Sequence, residues 1–306
     1  MGMSMKKSYP DMFVVRVRPE DTVVALETAV LTHGLPEELG LEVMREMVSE
    51  VKKVGAKPAP VGMIEGQVIV GMRDDELAQL LESHNHKITS RDIPLFSAKT
   101  RTGGFTVSST LSICGKLDID VMATGGIGGV HRTSRQRWDV SSDLTELTRN
   151  GSMVVCSGPK SLLDVENTYE MLETLAVPMV VYGSDHLPAF HIRNTGIPTD
   201  HRVDDIWDIL ESRRLMRQLG TSSSMLILNS VPARISMTRD RMESLLSRIH
   251  SEDIPIGKKA TPWVLEKIAD YSDGESVEIN RKLLVSNCSL AAEIAVEKSK
   301  TERSHG

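Results

Sequence analysis

The run A-T-G-G-I-G-G-V-H, Ala123 to His131, decides how the rest of the chain is read. It follows an apolar segment, Ile119 to Ala123, that reads as the end of a strand. Gly125, Gly126, Gly128 and Gly129 remove every Cβ that would hold a ligand away from the amides, and they open the backbone to positive φ. Such a loop can cradle an anion, and His131 and Arg132 after it can add charge-assisted donors to a phosphate. Asp139 and Asp143 follow in W-D-V-S-S-D-L, and then comes M-V-V-C-S-G-P-K, in which Met153 to Cys156 read as a short buried strand. That spacing puts Lys160 just past the C-terminal edge of a strand, where open α/β sheets hold their ligands. A glycine cradle, two carboxylates and a lysine in this order point to a sugar-phosphate or nucleotide site. Taken singly, each has a plainer reading. The glycine run matches neither a P-loop nor the dinucleotide fingerprint, a lysine after a strand is usually solvated, and an aspartate before a helix is usually an N-cap. The combination carries the inference.

Outward from this stretch, strands and helices alternate. Val14 to Val17, Val23 to Val30, a hairpin over Pro58 to Gly71 with Glu65-Gly66 at its turn, Pro178 to Tyr182 and Met225 to Leu228 read as strands. Leu41 to Val54, Asp74 to Ser83, Ser161 to Leu175, Val203 to Leu219, Met242 to His250, Trp263 to Tyr271 and Ser276 to Glu297 read as helices. His84 to Pro94 reads as a polar loop carrying Lys87 and Arg91, Pro188 to His191 as a short extended piece, and T-G-G-F-T-V-S-S-T as a turn opening a helix. The pattern predicts one α/β domain over 13–298, a mixed central sheet flanked by helices, with tails at 1–12 and 299–306. Three positions stand out. Glu27 is an acid inside the apolar run V-V-A-L-E-T-A-V, and Asn280 and Asn287 lie in the last helical stretch, where an asparagine is either hydrogen-bonded in the core or facing a site.

The 306 residues can build a full core without disulfide or metal staples. A net charge of -6 argues against a nucleic-acid backbone as the partner. Cys114, Cys156 and Cys288 are widely spaced and predict reduced, partly buried thiols, and no run of about 18 apolar residues is present to predict a membrane span. The expected setting is cytoplasmic.

Taken together, A-L-E at Ala25 to Glu27, H-G at His33-Gly34, R-D-I-P at Arg91 to Pro94, the glycine motif with His-Arg, D-V-S-S-D-L, V-V-C-S-G-P-K-S-L-L-D, P-A-F at Pro188 to Phe190 and G-K-K-A-T-P at Gly257 to Pro262 resemble the pseudouridine-5'-phosphate glycosidases, also called the indigoidine-A-like family. The likeness runs from about Val23 to Val296. It implies reversible cleavage of the C–C glycosidic bond of pseudouridine 5'-phosphate to uracil and ribose 5-phosphate. It also implies a divalent metal, usually manganese (Mn2+), a homotrimer and an α/β/α architecture. Position by position, it implies Lys160 as the covalent nucleophile, Glu27 as the proton donor and Asp139 as the metal ligand. Lys87, Val107, Ser141, Ser142 and Asp143 would contact the substrate, with His131 at the phosphate and Asn287 at the base.

These residue types suit that chemistry. A C-glycoside has no heteroatom leaving group to protonate, so a pair of carboxylates alone does not suffice, whereas an amine nucleophile can draw the bonding electrons through an iminium. The sequence departs from the usual family pattern at Thr28-Ala29, Ser90, Phe105, Thr133 and N-S-V-P. Ser90 and Phe105 leave room for a related C-glycoside synthase joining ribose 5-phosphate to a uracil-like or other aromatic acceptor. A sugar-phosphate binding protein without turnover is the reading from another class, and the retention of Glu27, Lys87, Asp139 and Lys160 together speaks against it.

Overall fold

The computed structural model describes residues 12–82, 86–132, 138–249, 251–253, 255 and 260–305. The expected N-terminal tail (apart from Met12), His84, Thr133 and the Gly257–Lys259 part of G-K-K-A-T-P lie outside them. The chain opens with β1 (Phe13–Val15) and β2 (Val23–Glu27), then α1 (Ala29–His33) and α2 (Glu37–Val54). The strand expected to run to Val30 therefore stops at Glu27. Thr28 ends it by donating to Val61 O (2.7 Å) and accepting from Phe105 N (3.0 Å), and the apolar run continues as helix. The hairpin forms as expected, β3 (Lys57–Ile64) and β4 (Gln67–Val70), and both turn residues, Glu65 and Gly66, have positive φ as a twisted two-residue turn requires.

After α3 (Asp74–Glu82), the segment read as a polar loop contains β5 (His86–Ile88) and a 3-10 turn before α4 (Ile93–Ala98). β5 was missed because its partner, β6 (Gly103–Phe105), is rich in glycine; the two pair in parallel, His86 opposite Gly103. There follow α5 (Val107–Leu117), β7 (Val121–Ala123), α6 (Ser142–Leu147) and β8 (Met153–Cys156). The helix expected from Ser161 begins only at α7 (Val165–Thr174), because Asp164 caps it by accepting from Asn167 N (3.2 Å). Then come β9 (Met179–Tyr182), β10 (Arg202–Val203), α8 (Ile206–Gln218), β11 (Met225–Asn229), α9 (Arg239–Ile249), α10 (Ala260–Tyr271) and α11 (Glu275–His305). Helix α11 runs on through the expected polar tail. Lys298 bridges Asp120 (2.8 Å) and Glu302 (2.7 Å), and Lys300 pairs with Glu297 (3.1 Å), so charged residues there lace a helix.

The strands form one mixed sheet, β1-β4-β3-β2-β7-β8-β11-β9-β10, with β6 on β3 and β5 on β6. Among the described pairings only β3–β4 and β3–β6 are antiparallel. Alternate residues of the central strands feed opposite cores. Met153 and Val155 of β8 pack with α2 and α11, while Val154 and Cys156 pack with α5, α6 and α7. Burial on both faces explains why these strands read as unbroken apolar runs. The three cysteines are free and buried, and burial raises the Cys156 thiol pKa to about 12. No helix among the described residues is long and apolar enough to cross a membrane.

Candidate active site

β2, β7, β8 and β11 run parallel, so their C-terminal ends meet at one edge. Glu27 ends β2, Thr124 and Gly125 follow β7, and Ser157 to Lys160 follow β8. There a cavity of about 380 Å³ opens, and Glu27, Lys87, Val107, His131, Asp139, Ser141, Ser142, Asp143 and Lys160 all line it. Nine of the ten residues singled out in the sequence thus converge.

The exception is Asn287, which is fully buried behind the glycine loop. Its Nδ2 donates to Thr124 O (2.8 Å) and Ser157 Oγ (3.1 Å), and its Oδ1 accepts from Asn229 Nδ2 (3.0 Å). It ties β7, β8 and β11 together and does not line the cavity. Asn280, two turns earlier on α11, does line it. Asn280 Nδ2 donates to Gly34 O (3.2 Å), and its Oδ1 has no partner among the described residues.

The glycine loop departs from expectation in one respect: none of its four glycines has positive φ. They are required by close approach. A Cβ on Gly126 would sit 2.7 Å from the Phe190 ring and 2.8 Å from Gly158 O, and one on Gly128 would meet the Ser141 side chain. The Gly128 amide donates to Asp143 Oδ2 and the Ser108 amide at the start of α5 donates to Asp143 Oδ1, both at 2.9 Å. Asp143 therefore fastens the loop to α5. Ser141 caps α6 by accepting from Asp143 N (3.2 Å), and Ser142 Oγ lies 3.1 Å from Ser108 Oγ. Arg132 turns away from the cavity and makes a two-pronged pair with Glu243 (2.7 and 3.0 Å), so only His131 of that pair remains for a ligand anion.

Electrostatics single out Glu27. It is 5% exposed, and burial raises its pKa against the opposing pull of Lys160, a hydrogen bond from Thr124 Oγ1 and the charge of Lys87. Burial with Lys87 nearby lowers the His33 pKa to about 4; its Nδ1 lies 2.6 Å from Thr32 Oγ1. Burial also lowers His131, with Asp139 acting against it. The cavity thus holds an acid disposed to keep its proton, two imidazoles disposed to stay neutral, and the amines of Lys87 and Lys160. Phe105 is fully buried in the core and Ser90 is not on the cavity wall, so neither departure reshapes the pocket directly. His33, Phe190 and Arg91 line it without having been singled out as site residues.

Residues 15–297 match the family model described as indigoidine synthase A like protein. The chain belongs to that family. Among its curated relatives, pseudouridine-5'-phosphate glycosidase 2 of Rhizobium johnstonii is 38% identical over 90% of each chain. The pseudouridine-5'-phosphate glycosidase of Thermotoga petrophila is 37% identical over 92% of this chain and 97% of its own. An indigoidine synthase A-like protein of Thermotoga maritima superposes with a TM-score of 0.89 at 33% identity, covering 94% of this chain and 96% of that one. The prealnumycin C-glycosynthase AlnA, solved with ribulose 5-phosphate, superposes at 0.85 and 28% identity, over 97% of this chain and all of the other. This indigoidine synthase A-like chain therefore shares its whole fold with proteins named for making or breaking C-glycosidic bonds.

Proposed function

We propose that this chain cleaves and forms the C–C glycosidic bond of pseudouridine 5'-phosphate, with uracil and ribose 5-phosphate as the separate partners. The observation that carries the reading is the cavity itself, which the buried acid Glu27 and Lys160 both line close enough to act on each other electrostatically. Opening the ribose ring breaks C1'–O4', with Glu27 giving its proton to the departing oxygen and the Lys160 nitrogen bonding to C1'. The Lys160 nitrogen then gives up a proton to the Glu27 carboxylate, Glu27 passes it to the base carbon, and the freed nitrogen lone pair drives the C–C bond apart. Its electrons stay with uracil, and C1' is left as an iminium on Lys160. Water adds to C1', the C–N bond breaks, and the lysine is released with the aldehyde of ribose 5-phosphate. His131 faces the phosphate, the α5 N-terminus at Val107 adds its dipole, and the unpaired Oδ1 of Asn280 supplies an acceptor for a base N–H.

Asp139 fits a hard divalent cation, taken here as Mn2+. It is a half-buried carboxylate on the cavity wall, and no group of three His, Cys, Asp or Glu suited to a metal occurs among the described residues. A divalent ion held by Asp139 would take most of its other ligands from water and substrate and would orient the sugar oxygens. The setting is taken as cytoplasmic and the assembly as a homotrimer.

The reaction also runs as a synthesis, and the likeness to AlnA keeps other aromatic acceptors in view. Phe105 and Ser90 do not favour them, since both lie off the cavity wall. Incubation with pseudouridine 5'-phosphate should release uracil, and borohydride added with ribose 5-phosphate should leave a secondary amine on the Lys160 peptide. Lys160→Arg, whose guanidinium stays protonated, should still bind the sugar phosphate but show neither turnover nor trapping. An adduct mapping to Lys87 would remove Lys160 from the mechanism.

A further inference from the structure

The loop that carries Lys160 is held by more than its own strand. Lys160 N donates to Ile127 O (3.1 Å) and Leu163 N donates to Lys160 O (2.9 Å), which fixes the backbone but leaves the next residue to be placed. Ser161 is 1% exposed, and its Oγ lies 2.9 Å from Nδ1 of His191, also 1% exposed. His191 belongs to the P-A-F-H segment, which also grips that loop at Ser157 and is itself tied to α7. Phe190 N donates to Ser157 O (2.6 Å), Tyr169 Oη donates to Pro188 O (2.5 Å), and Phe190 is held at φ +51° with its ring over Gly125 and Gly126 on the cavity wall. A non-glycine residue at that φ is sustained only where its surroundings hold it.

Burial lowers the His191 pKa to about 3, so its ring is neutral and offers one N–H and one bare nitrogen. Ser161 Oγ and His191 Nδ1 form a buried hydrogen-bonded pair in which the hydroxyl can donate or accept. Nothing in the reaction as derived above uses it.

We infer that Ser161 and His191 are positioning residues for Lys160: the bond between the residue following the nucleophile and the buried ring of the P-A-F-H segment sets where the amine stands in the cavity. A buried polar pair is an expensive way to fill space, since two apolar groups of the same shape would serve stability as well or better. It supplies direction, which packing alone does not. The inference rests on the reading of Lys160 as nucleophile.

The test measures both the rate of borohydride trapping with ribose 5-phosphate and steady-state turnover, at a temperature well below every melting point. Ser161→Ala and His191→Phe should each slow trapping and kcat by about tenfold or more, with KM within about twofold of wild type. His191→Asn, whose Oδ1 can stand near the Nδ1 position and accept from Ser161, should restore most of the rate. Each single variant leaves a buried polar atom unpaired and should melt lower. The double variant Ser161→Ala/His191→Phe removes both atoms and should recover melting temperature while staying as slow as the singles. Wild-type trapping rates in the single variants, or a rate that recovers with stability in the double, would overturn the inference and reduce the pair to packing. Absence of any lysine adduct in wild type would instead remove the nucleophile reading and the positioning role with it.

Discussion

Glu27 shows how a single buried charge couples function to stability. Its pKa is raised in the folded chain, first by burial, above the usual carboxylate value of about 4.3 in the unfolded one. The folded state therefore prefers the protonated acid. The associated stability is fully present below the unfolded pKa and is lost as pH rises through the folded pKa. Glu27→Gln cannot ionise, so the variant should melt close to wild type in acid and increasingly above it as pH climbs through the folded pKa. Turnover should fall by about 10²- to 10⁴-fold, the usual worth of a positioned proton donor. Melting curves at a series of pH values check the first half; a stability gap that does not grow with pH would mean that Glu27 is not held protonated. At this scale the sequence was informative where a residue type was out of place. An acid in an apolar run announced Glu27. Choosing between Asn280 and Asn287 was beyond it, because seven residues are two helical turns and put both on one face of α11. Which of them reaches the cavity depends on where the glycine loop crosses that helix.

Between elements, the joint at Asp143 matters most. Both its oxygens accept backbone amides at 2.9 Å, one from the glycine loop and one from the first turn of α5, so a single carboxylate sets the distance between two cavity walls. Asp143→Asn keeps the shape but turns one acceptor into a donor facing an N–H. The cost should be about 1–3 kcal/mol, that of leaving a buried group unsatisfied, and KM for the sugar phosphate should rise because the loop and α5 part. Melting temperature and KM measured together check this, and a variant that keeps both unchanged would show that the loop holds its place without the clamp. The hairpin was legible because Glu65-Gly66 interrupts two apolar runs. The end of β2 was hidden because apolar residues resume at Ala29, directly after Glu27 and Thr28, and continue into α1. The four glycines were read as giving positive φ and as clearing Cβ atoms from a ligand; the atoms they in fact clear belong to Phe190, Ser141 and Thr168, which are distant in sequence.

For the whole molecule, the question is whether the proposed cation would belong to the fold or only to the chemistry. The sheet is covered on both faces by apolar clusters assembled from helices throughout the chain. Asp139 lies outside both clusters, on the cavity wall beside a backbone bond from His131 N to Asp139 O (3.0 Å) that needs no side chain. A cation resting on one carboxylate adds to stability only by mass action on the folded state, about 2.7 kcal/mol even at a hundredfold excess over Kd. A fold stapled by metal would instead collapse without it. Chelation should therefore abolish most turnover, restored by adding Mn2+, while circular dichroism and the cooperative melt survive with the midpoint lowered by a few degrees at most. Asp139→Ala should match the chelated wild type in both respects and gain nothing from added metal. Loss of the cooperative transition on chelation would place the ion among the structural supports of the fold, and full turnover in Asp139→Ala would remove that carboxylate from the metal's ligands.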